Sequence, residues 1–168
     1  FDGFIGLSDI AAPGRLIMDG DFMRMNTMAD VDERRFLFSL MVVTGSALAV
    51  SDQFDTATEE CLEVYRNKEL IELNKAGFCA QPLSRDVKSK DSSRWIGKLP
   101  CGDWIVAFFN REDAADEYRI DFGKELGIET GKAGNVRDLW THQDLGAMEG
   151  SYAVTLEPHS CQVIRITK

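Results

Sequence analysis

Long apolar runs are what this sequence most conspicuously lacks. The longest, around Ala47 to Val50, falls far short of the ~18 consecutive apolar residues of a membrane span, so no membrane partner is expected. Clustered base is missing too. With a net charge of -9 and its Lys and Arg scattered, the chain carries no footprint for a phosphate backbone, and nucleic acid is excluded as a partner class. The four cysteines, Cys61, Cys79, Cys101 and Cys161, show no C-x-x-C spacing, and the two histidines do not stand near them in ligand pattern. That excludes a zinc finger, and neither a metal nor another cofactor is called for. Four buried thiols are expected, which leans towards a reducing, cytoplasmic setting, although an even count leaves disulfides open. Internal repeats and low-complexity tracts are absent as well.

What remains is globular composition, 44% hydrophobic and 28% charged over 168 residues. The chain opens on an apolar segment, Phe4-Ile5-Gly6-Leu7, that reads as the tail of an earlier element, so a fragment of a longer chain is expected. Next comes Ile17-Met18-Asp19-Gly20-Asp21-Phe22-Met23, behind the loop Ala11-Ala12-Pro13-Gly14. An extended run would put Asp19 and Asp21 on one face, as a strand delivering carboxylates to a pocket does; an Asp-Gly turn with both acids solvated is the rival.

Asp30 with Glu33 resembles a capping box, and the apolar spacing through Phe36, Leu37, Leu40, Met41 and Val43 predicts a helix stopped by Gly45. Ser46 to Val50 reads as a strand buried on both faces, closed by a turn at Ser51-Asp52. Thr56 with Glu59 repeats the cap, and a second helix re-caps near Asn67 and runs to Gly77. The order is that of two β/α units.

Beyond the polar stretch from Pro82 to Ser93 the period changes to two. Ser93 to Leu99 and Asp103 to Asn110 form a hairpin about Pro100-Cys101-Gly102, with Trp95, Trp104, Val106 and Phe108 available to one core. Alternation at Tyr118, Ile120 and Phe122, then Val136 to Trp140, Tyr152 to Leu156 and Cys161 to Thr167, brings the total to about six strands. Polar turns are expected at Thr141 to Asp144 and Glu157 to Ser160, and an antiparallel β-sandwich follows. His142 and His159 read as turn or loop residues, the three tryptophans as core before sugar platform, and Asp138 as an ion-pair partner of its neighbour Arg137.

Three places carry a resemblance. Asp9-Ile10-Ala11-Ala12-Pro13-Gly14 with Asp19-Gly20-Asp21-Phe22-Met23 resembles the Pro-Gly-Gly-Trp-Asn-Asp-Pro-Asp-Met-Leu run of the melibiase-type α-galactosidases of glycoside hydrolase family 27, with one extra residue before the first Asp. Gly45 to Asp52 with Asn67 to Asn74 resembles the family's seventh-helix to eighth-helix region. The most distinctive is Val136-Arg137-Asp138-Leu139-Trp140-Thr141 with Asp144-Leu145-Gly146 and Pro158-His159, in the sandwich. Gly20 and Phe22 stand where the family has Pro and Met, and Leu16-Ile17 replaces Trp-Asn.

The resemblance implies an α/β plus all-β chain: residues 1–81 as the last two β/α units of a (β/α)8 catalytic barrel, residues 92–168 as the antiparallel β-sandwich. It implies the C-terminal portion of a retaining hydrolase of terminal α-galactosides, with the catalytic carboxylate pair on earlier strands. No catalytic residue is then assigned here. Its partners would be the carbohydrate substrate and the N-terminal remainder of the barrel. Asp21 and Phe22 are implied as substrate-binding, by carboxylate oxygens and by an aromatic face, and Asp19 as structural support. The alternative is a noncatalytic carbohydrate-binding or structural β-sandwich module.

Overall fold

The computed structural model describes every residue except Pro13, Phe54, Thr130 and Lys168. In the first half, α1 (Asp2–Leu7), β1 (Phe22–Met23), α2 (Val31–Val43), β2 (Ala49–Val50), α3 (Glu59–Tyr65) and α4 (Lys68–Lys75) follow in order. Local chemistry sets their ends. The Asp30 carboxylate accepts the N–H groups of Asp32 and Glu33, and Glu33 returns to the N–H of Ala29, so the entry to α2 is capped from both sides. Asn67 caps α4 through the N–H of Leu70. The cap of α3 is Thr58, not Thr56 as expected. Thr56 instead accepts from the Asn26 side chain and donates to the Gln53 carbonyl, which takes its hydroxyl away from the helix.

β1 and β2 pair in parallel, Phe22 beside Ala49 and Met23 beside Val50, as strands joined through a helix must. Two expectations are corrected here. The first strand does not begin near Ile17; apart from a bridge at Leu16 the chain is irregular until Phe22. β2 is not buried on both faces either, since Ala47 and Val50 are exposed. Each strand has one paired neighbour among the described residues, so each keeps an open edge.

The second half holds a six-stranded antiparallel sheet in the order β3 (Gln81–Pro82), β4 (Arg94–Lys98), β5 (Trp104–Phe109), β10 (Cys161–Thr167), β7 (Ala133–Asp138), β8 (Asp144–Glu149). Facing it is the pair β6 (Asp116–Asp121) and β9 (Ser151–Leu156). Between the two layers lie Val106, Phe108, Tyr118, Ile120, Phe122, Val136, Tyr152, Ile164 and Ile166. Six of these strands are those the alternation predicts; β3 and β8 are additional. β3 carries Pro82 at the sheet edge, where a missing N–H costs no ladder bond. β8 contains Gly146 at φ +93 and pairs with β7 through a register shift at Val136/Arg137, which hides it from period-two reading.

The central strands are covered twice. Ile105, Ala107, Phe109 and Val163 point away from the sandwich interior and pack with Phe38, Leu40, Met41, Val42, Leu70 and Leu73 of the helices. α2 therefore has six consecutive buried residues, Phe38 to Val43, because the sheet (β5 and β10) covers it on one side and α3 and α4 pack on others. The four aromatic and aliphatic residues expected in one core divide accordingly. Trp95 pairs with Ala107 across β4 and β5, shares its face, and is fully buried against the helical half, whereas Val106, Phe108 and Trp104 line the sandwich.

A substitution in this shared layer tests the arrangement. Ile105→Ala removes a fully buried side chain from a strand that both cores use, and it should cost about 2 to 5 kcal/mol in denaturant unfolding. Far-ultraviolet and tryptophan signals should move together. A transition splitting into separate helical and sandwich steps would contradict a shared layer.

Candidate functional site

The open end of the parallel pair gathers the residues singled out by the sequence. Asp19-Gly20-Asp21 is a tight turn, not an extended run. The Asp19 Oδ1 accepts the Asp21 N–H at 2.9 Å, and the Asp21 Oδ1 accepts the Phe22 N–H at 2.7 Å. Asp21 sits at φ +67, which breaks alternation, so the expectation of two carboxylates on one strand face is corrected. Gly20 is closely packed. A Cβ there would lie 2.2 Å from the Met41 sulfur and 2.8 Å from the Phe4 ring, while its N–H is held by the Ser46 hydroxyl at 2.9 Å. Asp19, Asp21 and Phe22 are all exposed, Phe22 by 66%. Asp19 thus grips the Asp21 backbone, and the second oxygen of Asp21 has no partner among the described residues.

Asp52, one residue past the Ser51 N–H that bonds the Met23 carbonyl, has a different occupation. Its oxygens accept the N–H groups of Met25 (3.0 Å) and Asn26 (2.9 Å) and the Tyr65 hydroxyl. Burial alone would raise its pKa. The Tyr65 hydroxyl, the two N–H groups and the charge of Arg24 outweigh that and hold it below the ordinary carboxylate range. Burial and the same hydrogen bond push the Tyr65 phenol up. The sequence reading places Asp52 in a turn, and in the structure it also acts as a cap. What it caps is the 3-10 turn Met25–Thr27 on the neighbouring connection, a long-range partner that local reading does not reveal.

The distinctive sandwich motif works as a joint. Arg137 meets Glu69 of α4 through two bonds, 3.0 and 2.9 Å, and Asp144 through a third at 3.0 Å. His142, at φ +58, adds its Nδ1 to the same Glu69 oxygen at 2.6 Å. The Arg137 hydrogen bonds, working against burial and joined by His142, hold Glu69 below its usual pKa range. Asp138 is not the ion partner of Arg137, which corrects that expectation. One of its oxygens accepts the N–H groups of Trp140 and Thr141 and the other the Gln162 side chain. Trp140 donates to Ser39 of α2 at 2.8 Å with Arg35 over its ring, and the Asn67 side chain donates to the Leu139 carbonyl at 2.8 Å.

The tryptophans form no platform: Trp95 is buried, Trp140 is spent on the joint, and Lys98 covers Trp104. All four thiols are free, but only Cys61 is fully buried; Cys79 and Cys161 are half-buried, and Cys101 is exposed in the hairpin turn, contrary to the expectation of four buried thiols. Burial pushes the Cys161 thiol up to about 12, away from reactivity. No group of three or more His, Cys, Asp or Glu among the described residues is placed to hold a metal ion, and no described helix is long and apolar enough to cross a membrane.

Comparison with known proteins bears on both halves. Residues 89–166 match the family described as alpha galactosidase C-terminal beta sandwich domain. Isomalto-dextranase of Arthrobacter globiformis is 44% identical over 175 aligned residues, covering 99% of this chain and 27% of that enzyme. Alpha-galactosidase 3 of Arabidopsis thaliana is 28% identical, covering 81% of this chain and 32% of its own length. The solved structure of the Arthrobacter globiformis isomalto-dextranase complexed with panose superposes with a TM-score of 0.87 at 42% identity, over 98% of this chain and 28% of that one. The chain thus spans about a quarter to two fifths of the curated relatives it matches.

The Asp52 clamp generates a prediction. Asp52→Asn places an amide N–H against a backbone N–H and discards a charge, so the chain should lose about 1 to 2 kcal/mol, the lower part of the range because Asp52 is half-exposed. Since the folded pKa lies below the ordinary value, the carboxylate's contribution is complete above the unfolded pKa near ~4 and fades as pH falls through the folded pKa. Urea midpoints of parent and variant should therefore converge below about pH 4. A gap independent of pH would remove charge from the explanation.

Proposed function

We propose that the chain, whose residues 89–166 match the alpha galactosidase C-terminal beta sandwich domain and which is similar along nearly its whole length to glycoside hydrolases, is the C-terminal portion of a retaining hydrolase of α-glycosides of glycoside hydrolase family 27. In this reading residues 1–81 supply the last two β/α units of a (β/α)8 barrel, and residues 92–168 are the sandwich that buttresses it. The observation that carries it is the 44% identity to isomalto-dextranase over 99% of the chain, the parallel pair as well as the sandwich. Physical features agree. β1 and β2 each keep an open edge among the described residues, and Ile17 and Val50, both more than half exposed, are apolar side chains for which the remainder of a barrel is the natural cover.

The relative named for dextran is the more similar, so an α-glucan is the first substrate. Terminal α-galactosides are the second, supported by the α-galactosidases among the relatives. A retaining mechanism needs a nucleophile and an acid/base about 5 to 5.5 Å apart on either side of the scissile bond. The family resemblance assigns the pair to earlier strands of the longer chain, and Asp19, with one oxygen on the Asp21 backbone, is read as support. Asp21 then contributes substrate binding through its free oxygen, Phe22 an aromatic surface beside it, and Asp19 the support that fixes both.

Two measurements test this. The 168-residue chain alone should release no sugar from dextran or from an aryl α-galactoside, whereas the longer chain should, dextran being the better substrate. Hydrolysis by the fragment would refute the assignment of the pair, and an inactive longer chain that still binds sugar would favour a noncatalytic carbohydrate-binding module. In the longer chain Asp21→Asn should lower kcat/KM ~10 to 100-fold, the scale of one charge-assisted hydrogen bond. Turnover abolished by that change and restored by azide would make Asp21 the nucleophile instead.

A further inference from the structure

Around β1 exposure alternates: Phe22 is exposed, Met23 is fully buried among the helices, and Arg24 is exposed again. If Met23 faces the helix layer, Phe22 and Arg24 face the opposite side, which in a barrel is the axis. Arg24 stands one residue beyond the strand, at its C-terminal end, where barrels hold their active sites.

Its backbone is tightly held. The Arg24 carbonyl accepts both the Thr27 N–H (3.1 Å) and the Thr27 hydroxyl (2.7 Å), and the next two N–H groups are bound by Asp52. The guanidinium, by contrast, has no hydrogen bond or ion pair among the described residues. Seven arginines, Arg34, Arg66, Arg85, Arg94, Arg111, Arg137 and Arg165, each meet a carboxylate; Arg15, Arg35 and Arg119 share with Arg24 the lack of one among the described residues, but of these four Arg24 alone adjoins a strand of the parallel pair. Asp52 is the nearby acid, and its oxygens are occupied by Met25, Asn26 and Tyr65. A fixed backbone presenting a free, planar five-donor group is what recognition of paired oxygens requires.

We propose, on the reading of the preceding section, that Arg24 is a specificity-determining residue whose guanidinium donates to two adjacent hydroxyl oxygens of the sugar at the barrel mouth. Arg24 performs no proton transfer, and the bond it makes is present in ground state and transition state alike. Its loss belongs in KM.

The experiment uses the longer chain with dextran as substrate and compares Arg24→Gln and Arg24→Lys with the parent. Arg24→Gln should raise KM ~10-fold with kcat within about twofold and an unchanged melting temperature, the scale of one lost charge-assisted interaction. Arg24→Lys keeps charge without the fork and should recover only part of the affinity. An unchanged KM overturns the inference while leaving the hydrolase reading intact. A lowered melting temperature with kcat and KM both altered also overturns it, because that marks an ion pair inside the longer chain. A parent that hydrolyses neither dextran nor an aryl α-galactoside overturns the reading beneath the inference, and the inference with it.

Discussion

The double burial of β5 and β10 is the constraint on which the rest depends. A sheet has two faces, and in this chain both faces of its central strands are apolar: Val106, Phe108, Ile164 and Ile166 towards β6 and β9, Ile105, Ala107, Phe109 and Val163 towards α2 and α4. Neither cover is optional. Removing the helices would expose one set to water, at roughly 25 cal/mol for each Å² of apolar surface, and removing the outer pair would expose the other. The sandwich is thereby tied to the helical half by the least specific force available.

Hydrophobic burial does not set orientation, and the polar joint supplies it. The bonds from Arg137 to Glu69, Trp140 to Ser39 and Asn67 to Leu139 run from the β7 end to three separate points on the helices. The Asn67 amide is buried, so a shift of the halves would leave it unsatisfied, which is more costly than the bond is worth in its own right. Arg137 and Glu69 are partly solvated and contribute direction more than energy. Taken together, these bonds make the Val136 to Thr141 segment the polar link between the sandwich and the helices.

Legibility followed the range of the interactions. Helix caps at Asp30 and Asn67, the Gly102 turn and six alternating strands were readable, because each rests on residues within four positions of one another. β8 was not, since Gly146 and the register shift disturb its alternation. Trp95 was assigned to the wrong side because alternation identifies faces without saying what covers them. At the candidate site the residue types were legible and the geometry was not. Asp19 and Asp21 do come together, but through a turn and a left-handed residue rather than a shared strand face. The partners of Asp52 lie 13 to 27 positions away and left no local trace.

Among these acids, occupancy of the oxygens separates structural from available groups better than exposure does. Asp138 and Asp52 have both oxygens engaged by protein donors, and each holds a loop in place. Asp19 spends one oxygen on the backbone of Asp21, and Asp21 spends one on Phe22, which leaves its other oxygen directed to solvent beside an exposed ring. A carboxylate on a rigid turn, with its backbone in a strained conformation and half its acceptor capacity unspent, is poorly explained by folding alone. Its neighbour Arg24 shows the complementary state, its carbonyl doubly bonded by Thr27 and its guanidinium without a hydrogen-bond partner among the described residues. An acceptor and a donor set left open within four residues, flanking one two-residue strand, suit the alternating donors and acceptors of a polyhydroxylated ligand better than a ligand of single charge.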